Sequence, residues 1–358
     1  PTFTVSDPIG GLAAADFELT GSDAAGWVLR SKAPFDLPVD ASRTITITIQ
    51  GALPAATSGL VTPGDLISNA ATATWTSLNG VVAVRRSTYN PDSVERTGTG
   101  GINDYRNTDT ADLQVRSVGV SKTVVETSEA ATIDADRVVI GEIVRYRLEA
   151  LVPEATISSF VLADALPNGL QFFDDGTATI AFVSNGAGAT SSTVGSGTGL
   201  NVNGDSTTGV TPTFVIPGGA VEGGPTFGNG TDVSFNLGTV VNQDSDADDE
   251  FVIIEFNALV TNVASNQEDT TLTNKVTFLQ DGVASGSQSV NVRVAEPLLQ
   301  TFAKQAVDSD DVTPATGPFD AGDTVRYAVD VAAAAGNNRS IAYDTLVSDT
   351  LPATESYV

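Results

Sequence analysis

Cysteine, histidine and methionine are all absent from this chain of 358 residues. Without cysteine there is no disulfide frame and no thiolate metal site, and without histidine no side chain has an unperturbed pKa near neutrality. These absences remove most enzyme chemistry, so the chain is read as a non-enzyme. Positive charge is scarce too, with 17 Lys and Arg against 44 Asp and Glu and a net charge of -27. Such a surface repels nucleic acid and anionic membranes. No apolar run reaches the ~18 residues of a membrane span. A start at Pro1 with neither initiator methionine nor signal peptide fits a processed piece of something longer, any anchor or export signal lying outside it.

What is present is apolar content of 41%, ample for two or more cores, arranged mostly at period two. Thr44 to Ile49, Val144 to Leu148, Val252 to Phe256 and Ser289 to Val294 all alternate in this way, which puts one face of a strand on a core and the other in water. The alanine-rich Val331 to Ala335 is also read as strand, because Gly336-Asn337-Asn338 follows at once. Many short strands divided by Gly, Pro, Asn and Asp turns predict an all-β chain of tandem immunoglobulin-like antiparallel β-sandwiches. Trp27 and Trp75 are expected in a core.

The strands repeat. Lys122, Gly141-Glu142-Ile143-Val144-Arg145-Tyr146 and Asp164-Ala165-Leu166-Pro167 recur in order as Lys304, Gly322-Asp323-Thr324-Val325-Arg326-Tyr327 and Asp349-Thr350-Leu351-Pro352. Phe3 to Pro8 matches the Asp-containing tail of that phrase, and Leu66 to Thr72 returns as Leu272 to Thr277, with Asn69 against Asn274. The repeat is about 180 residues long, which marks an array of spacers or binding modules. Residues 1–116 are read as the later part of one sandwich, 117–296 as a whole repeat, and 297–358 as the start of a third. The central repeat carries a Gly- and Ser-rich insertion over 184–230, expected to form loops and short strands rather than core, and the first carries a loop from Arg86 to Thr110.

An early Lys, a Gly-Asp/Glu-x-Val-x-Tyr strand, an Asp-x-Leu-Pro strand end and a late Thr/Ser-Asn strand resemble the conserved repeat domain of bacterial and archaeal surface proteins. They are similar, too, to the isopeptide-forming domains of fimbrial proteins. The resemblance implies sandwich modules of an extracellular stalk, adhesin or filament, partnered by neighbouring repeats or further copies. It also implies self-directed chemistry, in which a lysine amine attacks an asparagine amide and expels ammonia with help from an acid. Lys122 would be the nucleophile, Asn274 the electrophile and Asp164 the acid. Asp7 and Asn69 form one partial set, and Lys304 and Asp349 another. Only four lysines occur, Lys32, Lys122, Lys275 and Lys304, and two hold equivalent repeat positions. Arginine would serve as well for a solvated charge but cannot be the nucleophile. Against this stands a structural reading: Lys on an outer face, Asp closing a turn, Asn satisfying backbone at a strand start.

Carboxylates crowd Asp244-Ser245-Asp246-Ala247-Asp248-Asp249-Glu250, and such a loop suits calcium, which takes six to eight oxygens in loose geometry. Asp244, Asp246, Asp248, Asp249 and Glu250 are therefore the expected metal residues, with a weaker cluster at Asp308, Asp310, Asp311 and Asp320. A solvated acidic loop that keeps a surface protein soluble is the alternative. A surface glycan or cell-surface ligand is a further expected partner. The other functional reading is a set of spacers in a carbohydrate-binding or carbohydrate-cleaving surface protein. Assembly is expected to come from a longer continuous chain, or else from complementation of one subunit by the next.

Overall fold

Alternating β-branched and aromatic residues, punctuated by turn formers, leave strands as the regular structure this chain can build. The computed structural model describes residues 1–22, 25–37, 39, 44–50, 60–77, 105–129, 136–186, 188–224, 226–244, 248–309, 312–336 and 338–356. Among these there are strands and short 3-10 turns but no α-helix. Two compact units result, Pro1–Ser117 and Val118–Val358.

The first unit holds β1 (Thr2–Ser6), β2 (Phe17–Ser22), β3 (Gly26–Ser31), β4 (Thr46–Gln50), β5 (Leu66–Thr74) and β6 (Arg106–Gln114). They pair as three antiparallel ribbons, β1 with β4, β2 with β3 and β5 with β6. Ile47 and Ile49, expected on a core, stay 39% and 50% exposed, because among the described residues no second layer covers their two-stranded ribbon. Trp27 and Trp75 are likewise about half exposed rather than core residues, and Trp75 stacks on Tyr105. Of the expected loop from Arg86 to Thr110, residues 86–104 lie outside the described residues, and Arg106 to Thr110 belong to β6.

The second unit runs β7 (Gly119–Thr127), β8 (Arg137–Val138), β9 (Ile143–Leu151), β10 (Thr156–Ala165), β11 (Leu170–Phe172), β12 (Thr179–Val183), β13 (Ala189–Ser191) and β14 (Asn201–Val202). It continues with β15 (Phe214–Val215), β16 (Val221–Glu222), β17 (Val233–Asn242), β18 (Phe251–Val260), β19 (Thr271–Gln280), β20 (Val283–Val294), β21 (Leu299–Val307) and β22 (Arg326–Ala333). One sheet has the order β14-β12-β18-β9-β7, with β11 on β18 and β15 on β12; the other has β13-β17-β10-β19-β20-β8, with β16 on β17. Pairing is antiparallel except for β12 with β14 and β8 with β20. The two sheets enclose one apolar core that includes Tyr146, Phe160, Phe172, Phe235, Phe256 and Phe278. β21 and β22 form a separate ribbon, so Val331 to Ala333 are strand, as expected.

The 184–230 insertion consists of loops and short strands, as expected, but it is not outside the core. It adds β13 and β16 to one sheet and β14 and β15 to the other, and it buries Ala189, Val194, Leu200, Ile216 and Ala220. Its main-chain carbonyls at Thr207 and Val210 also accept from Arg147 at 2.9 and 2.7 Å. The outer face of β9 and β18 is thereby covered, so Val252 to Phe256 are buried throughout instead of keeping one wet face. Glu255 is buried there between Arg145 and Arg147, at 2.9 and 3.1 Å.

One turn recurs before four strands and explains a repeated sequence phrase. In Val139–Glu142, Asp320–Asp323, Thr62–Asp65 and Gln267–Thr270, the fourth N–H donates to the first carbonyl at 3.1, 3.0, 3.1 and 3.0 Å. The fourth side chain accepts in return from the first N–H, at 2.7, 2.7, 2.8 and 3.2 Å. The third residue takes positive φ: 91° at Gly141, 103° at Gly322, 85° at Gly64 and 64° at Asp269. This is why Gly followed by Asp or Glu keeps reappearing. The last two turns each lead into an Asn-bearing strand with the same spacing, from Asp65 to Asn69 and from Thr270 to Asn274.

Candidate functional site

Strand alternation sets the site. Lys122 sits on β7 on the side facing the core, opposite Leu148 and diagonal to Tyr146 on β9. Asp164 and Asn274 come from the other sheet, where Asp164 on β10 pairs with Val276 on β19. Asn274 lies two residues before Val276 on the same buried face, diagonal to Asp164. Lys122 therefore reaches across the core to the opposite sheet.

There the Lys122 ammonium donates to Asp164 Oδ2, with both side chains wholly buried. The Lys122 nitrogen lies 5.0 Å from the centre of the Tyr146 ring and 5.5 Å from that of Phe256. Aromatic walls thus replace water around the pair. Burial lowers the Lys122 pKa from 10.5 to about 8, although the carboxylate of Asp164 opposes the shift. Burial likewise raises Asp164 above its usual value of 3.8, against the pull of Lys122 and Asn274. Both shifts move the pair toward neutral amine and neutral acid.

Asn274 completes the cluster. It is fully buried and lies close enough to Asp164 and Tyr146 to influence their titration. Nevertheless neither its Oδ1 nor its Nδ2 has a hydrogen bond in good geometry, and the same holds for Asp164 Oδ1 and the Tyr146 hydroxyl. Buried polar atoms are almost always paired, so four orphans converging on one point call for a reason. Tyr146 was visible in the sequence only as the last residue of a repeated phrase; its recurrence as Tyr327 was the available signal.

The partial sets differ. Lys304 pairs with Asp349 at 2.8 Å and lies 4.2 Å from the Tyr327 ring, repeating the arrangement of Lys122, Asp164 and Tyr146. Here, however, both side chains are more than a third exposed. The bond to Asp349 accordingly pushes the Lys304 pKa up, not down. Asp7 accepts from the N–H groups of Ile9 and Leu12, closing the turn after β1, while Asn69 is exposed on β5. β1 and β5 lie in different ribbons.

In the acidic loop, Asp244 Oδ2 accepts from Ser184 Oγ and Gly186 N–H, each at 2.7 Å. Asp244 fills the place where a side chain at Gly186 would stand, which accounts for that glycine. Glu250 accepts from Asn242 at 2.7 Å, Asp248 accepts from Asn185, and Asp249 is partly buried. Asp246 lies outside the described residues, as do Asp310 and Asp311. Among the described residues no group of three or more acids is placed to hold a metal ion. Asp320 donates its N–H to Asp323 in the turn described above, and Asp308 donates its own to the Thr313 carbonyl.

No protein-family model and no curated protein matches the chain. Solved structures it is similar to include adhesin and pilin domains. The C-terminal domain of the Streptococcus agalactiae AgI/II polypeptide BspA is 12% identical, with 82% of this chain and 80% of that one covered and a TM-score of 0.34. BcpA, the major pilin subunit of Bacillus cereus, is 14% identical over 91% of this chain and 79% of its own, with a TM-score of 0.26. For the T6 backbone pilin of Streptococcus pyogenes the identity is 16%, the coverage 62% and 45%, and the TM-score 0.29. At such low identities and TM-scores, what the chain does is carried by its own residues.

Proposed function

We propose that this chain is a structural repeat array of a prokaryotic cell surface, part of a stalk, adhesin or filament, and that its central sandwich closes itself with an isopeptide bond from Lys122 to Asn274. The observation that carries the reading is the dry cluster of Lys122, Asp164 and Asn274, joining two sheets in a chain without cysteine. Neutral Lys122 Nζ attacks Asn274 Cγ, and the carbonyl pair moves onto Oδ1. Protonated Asp164 supplies its proton to Nδ2, which leaves as ammonia, and takes one back from the attacking nitrogen. The carboxyl ends as it began. Left unreacted, the buried pair would be a costly construction, since ion pairs rarely repay their desolvation in full.

Tryptic digestion of the full chain tests the reading. A branched peptide joining the Lys122 and Asn274 segments, lighter than their sum by one ammonia, is expected, and its absence from Asp164→Ala would confirm the role of the acid. Two linear peptides from folded wild-type protein would contradict the closure. The reading also includes calcium at the loop of Asp244, Asp246, Asp248, Asp249 and Glu250, supported by its density of carboxylates. At matched ionic strength, calcium and a chelator should give separate melting curves if the ion binds the native state. Coincident curves would mean that these acids act only as loop clamps, in the way of Asp244 and Glu250.

A further inference from the structure

The Tyr146 hydroxyl has no evident structural use. Its ring packs against Phe256 in the core, with ring centroids 5.7 Å apart, and a phenylalanine would fill that space equally well. The oxygen, by contrast, is buried without a hydrogen bond in good geometry, next to an amide and a carboxylate oxygen in the same condition. In the β21–β22 ribbon the equivalent hydroxyl of Tyr327 does have a partner, Glu355 Oε1 at 2.9 Å. A donor without a hydrogen bond in good geometry, neighbouring the amide whose carbonyl is to become negatively charged, is the arrangement expected of an oxyanion site.

We propose that Tyr146 is a catalytic residue of the closure, donating its hydroxyl hydrogen bond to Asn274 Oδ1 as the amide carbonyl becomes a tetrahedral oxyanion. The proposal rests on the Lys122–Asn274 reading and adds the group that stabilises its transition state. Lys122 Nζ forms the new bond to Cγ, and the electron pair of the carbonyl goes to Oδ1. Tyr146 holds that charge without giving up its proton. As the intermediate collapses, the pair returns, the bond from Cγ to Nδ2 breaks, and ammonia leaves with the proton delivered by Asp164. Burial pushes the Tyr146 phenol above its ordinary pKa, which keeps the donor protonated wherever the lysine can react. The division of labour is then complete: amine from one sheet, amide and acid from the other, and an oxyanion donor from the strand beside the lysine.

Cell-free synthesis of the full chain, sampled for intact mass over time, separates the two levels of the claim. Wild type should lose one ammonia, and Tyr146→Phe should do so about a hundredfold more slowly, the usual effect of removing one oxyanion donor. Equal rates would overturn the role of Tyr146 and leave the closure standing. A wild type that never loses ammonia would overturn the closure itself, and this proposal with it. Melting temperature guards against a merely structural effect: in the unreactive Lys122→Ala background, adding Tyr146→Phe should leave it unchanged or raised. A clear fall there would mean that the hydroxyl supports the fold, and would overturn a catalytic assignment.

Discussion

Lys122 and Lys304 occupy matching places in their repeats, yet their pKa values move in opposite directions, and burial is the difference. Lys304 keeps water around its ion pair with Asp349 and is held more firmly protonated; Lys122 is dry and is driven toward the free amine. A testable consequence appears in Asn274→Ala, which cannot close but keeps Lys122 and Asp164. The folded Lys122 pKa of about 8 lies below the 10.5 of the unfolded chain, so over that interval the unfolded state binds more protons. Stability should therefore rise with pH between those values, by on the order of 3 kcal/mol. Asp164 has the opposite sign: its folded pKa is raised above 3.8, so its contribution is present at lower pH and is lost as pH rises through that shifted value. Denaturant midpoints across pH would show the alkaline rise in Asn274→Ala. Closed wild type, whose Lys122 nitrogen is an amide, should lack it.

Among the elements, the turn that ends in Gly-Glu or Gly-Asp is the most telling. Gly141 holds φ at 91° and Glu142 ties back to the N–H groups of Val139 and Glu129. Gly141→Ala should cost about 1–3 kcal/mol through backbone strain alone, since nothing stands within reach of an added Cβ. Thermal or denaturant unfolding measures this, and an unchanged midpoint would mean that the turn relaxes. The turn also shows why part of the fold could be read in advance. Its glycine and acid are set by local backbone chemistry, so they survive from copy to copy and mark where strands begin. The insertion left no such mark. Its core residues, Ala189, Val194, Leu200, Ile216 and Ala220, are scattered among Gly and Ser with no period, and only tertiary contact makes them core. The wet face expected of Val252 to Phe256 failed for the same reason: what covers a strand comes from elsewhere in the chain. At the site, ordered recurrence singled out Lys122, Asp164 and Asn274, whereas the part of Tyr146 rests on an unpaired oxygen that no sequence displays.

At the scale of the molecule, the bond would do what an inter-sheet disulfide does in an immunoglobulin domain, fixing the two sheets of a sandwich to each other. It would close a loop of about 150 residues, worth about 5 kcal/mol on the chain-entropy model used for disulfides. Lys122→Ala should then lower the melting temperature by about 10–20 °C in a domain of this size. A shift of only a few degrees would mean that the closure adds little. Alternation did not foretell the exposed ribbons of the first unit, because it reports that a strand has two faces and not whether a second layer is there to meet one of them.

The intact mass of the folded full-length chain bears most directly on the central claim. Among the described residues only the central sandwich brings a dry lysine, an acid and an asparagine together, while Lys304 is exposed and charged. The expected mass is the sequence mass less one ammonia, restored to the full value in Lys122→Arg, Asp164→Ala and Asn274→Ala. A wild-type chain that folds and retains its full sequence mass would contradict the cross-link.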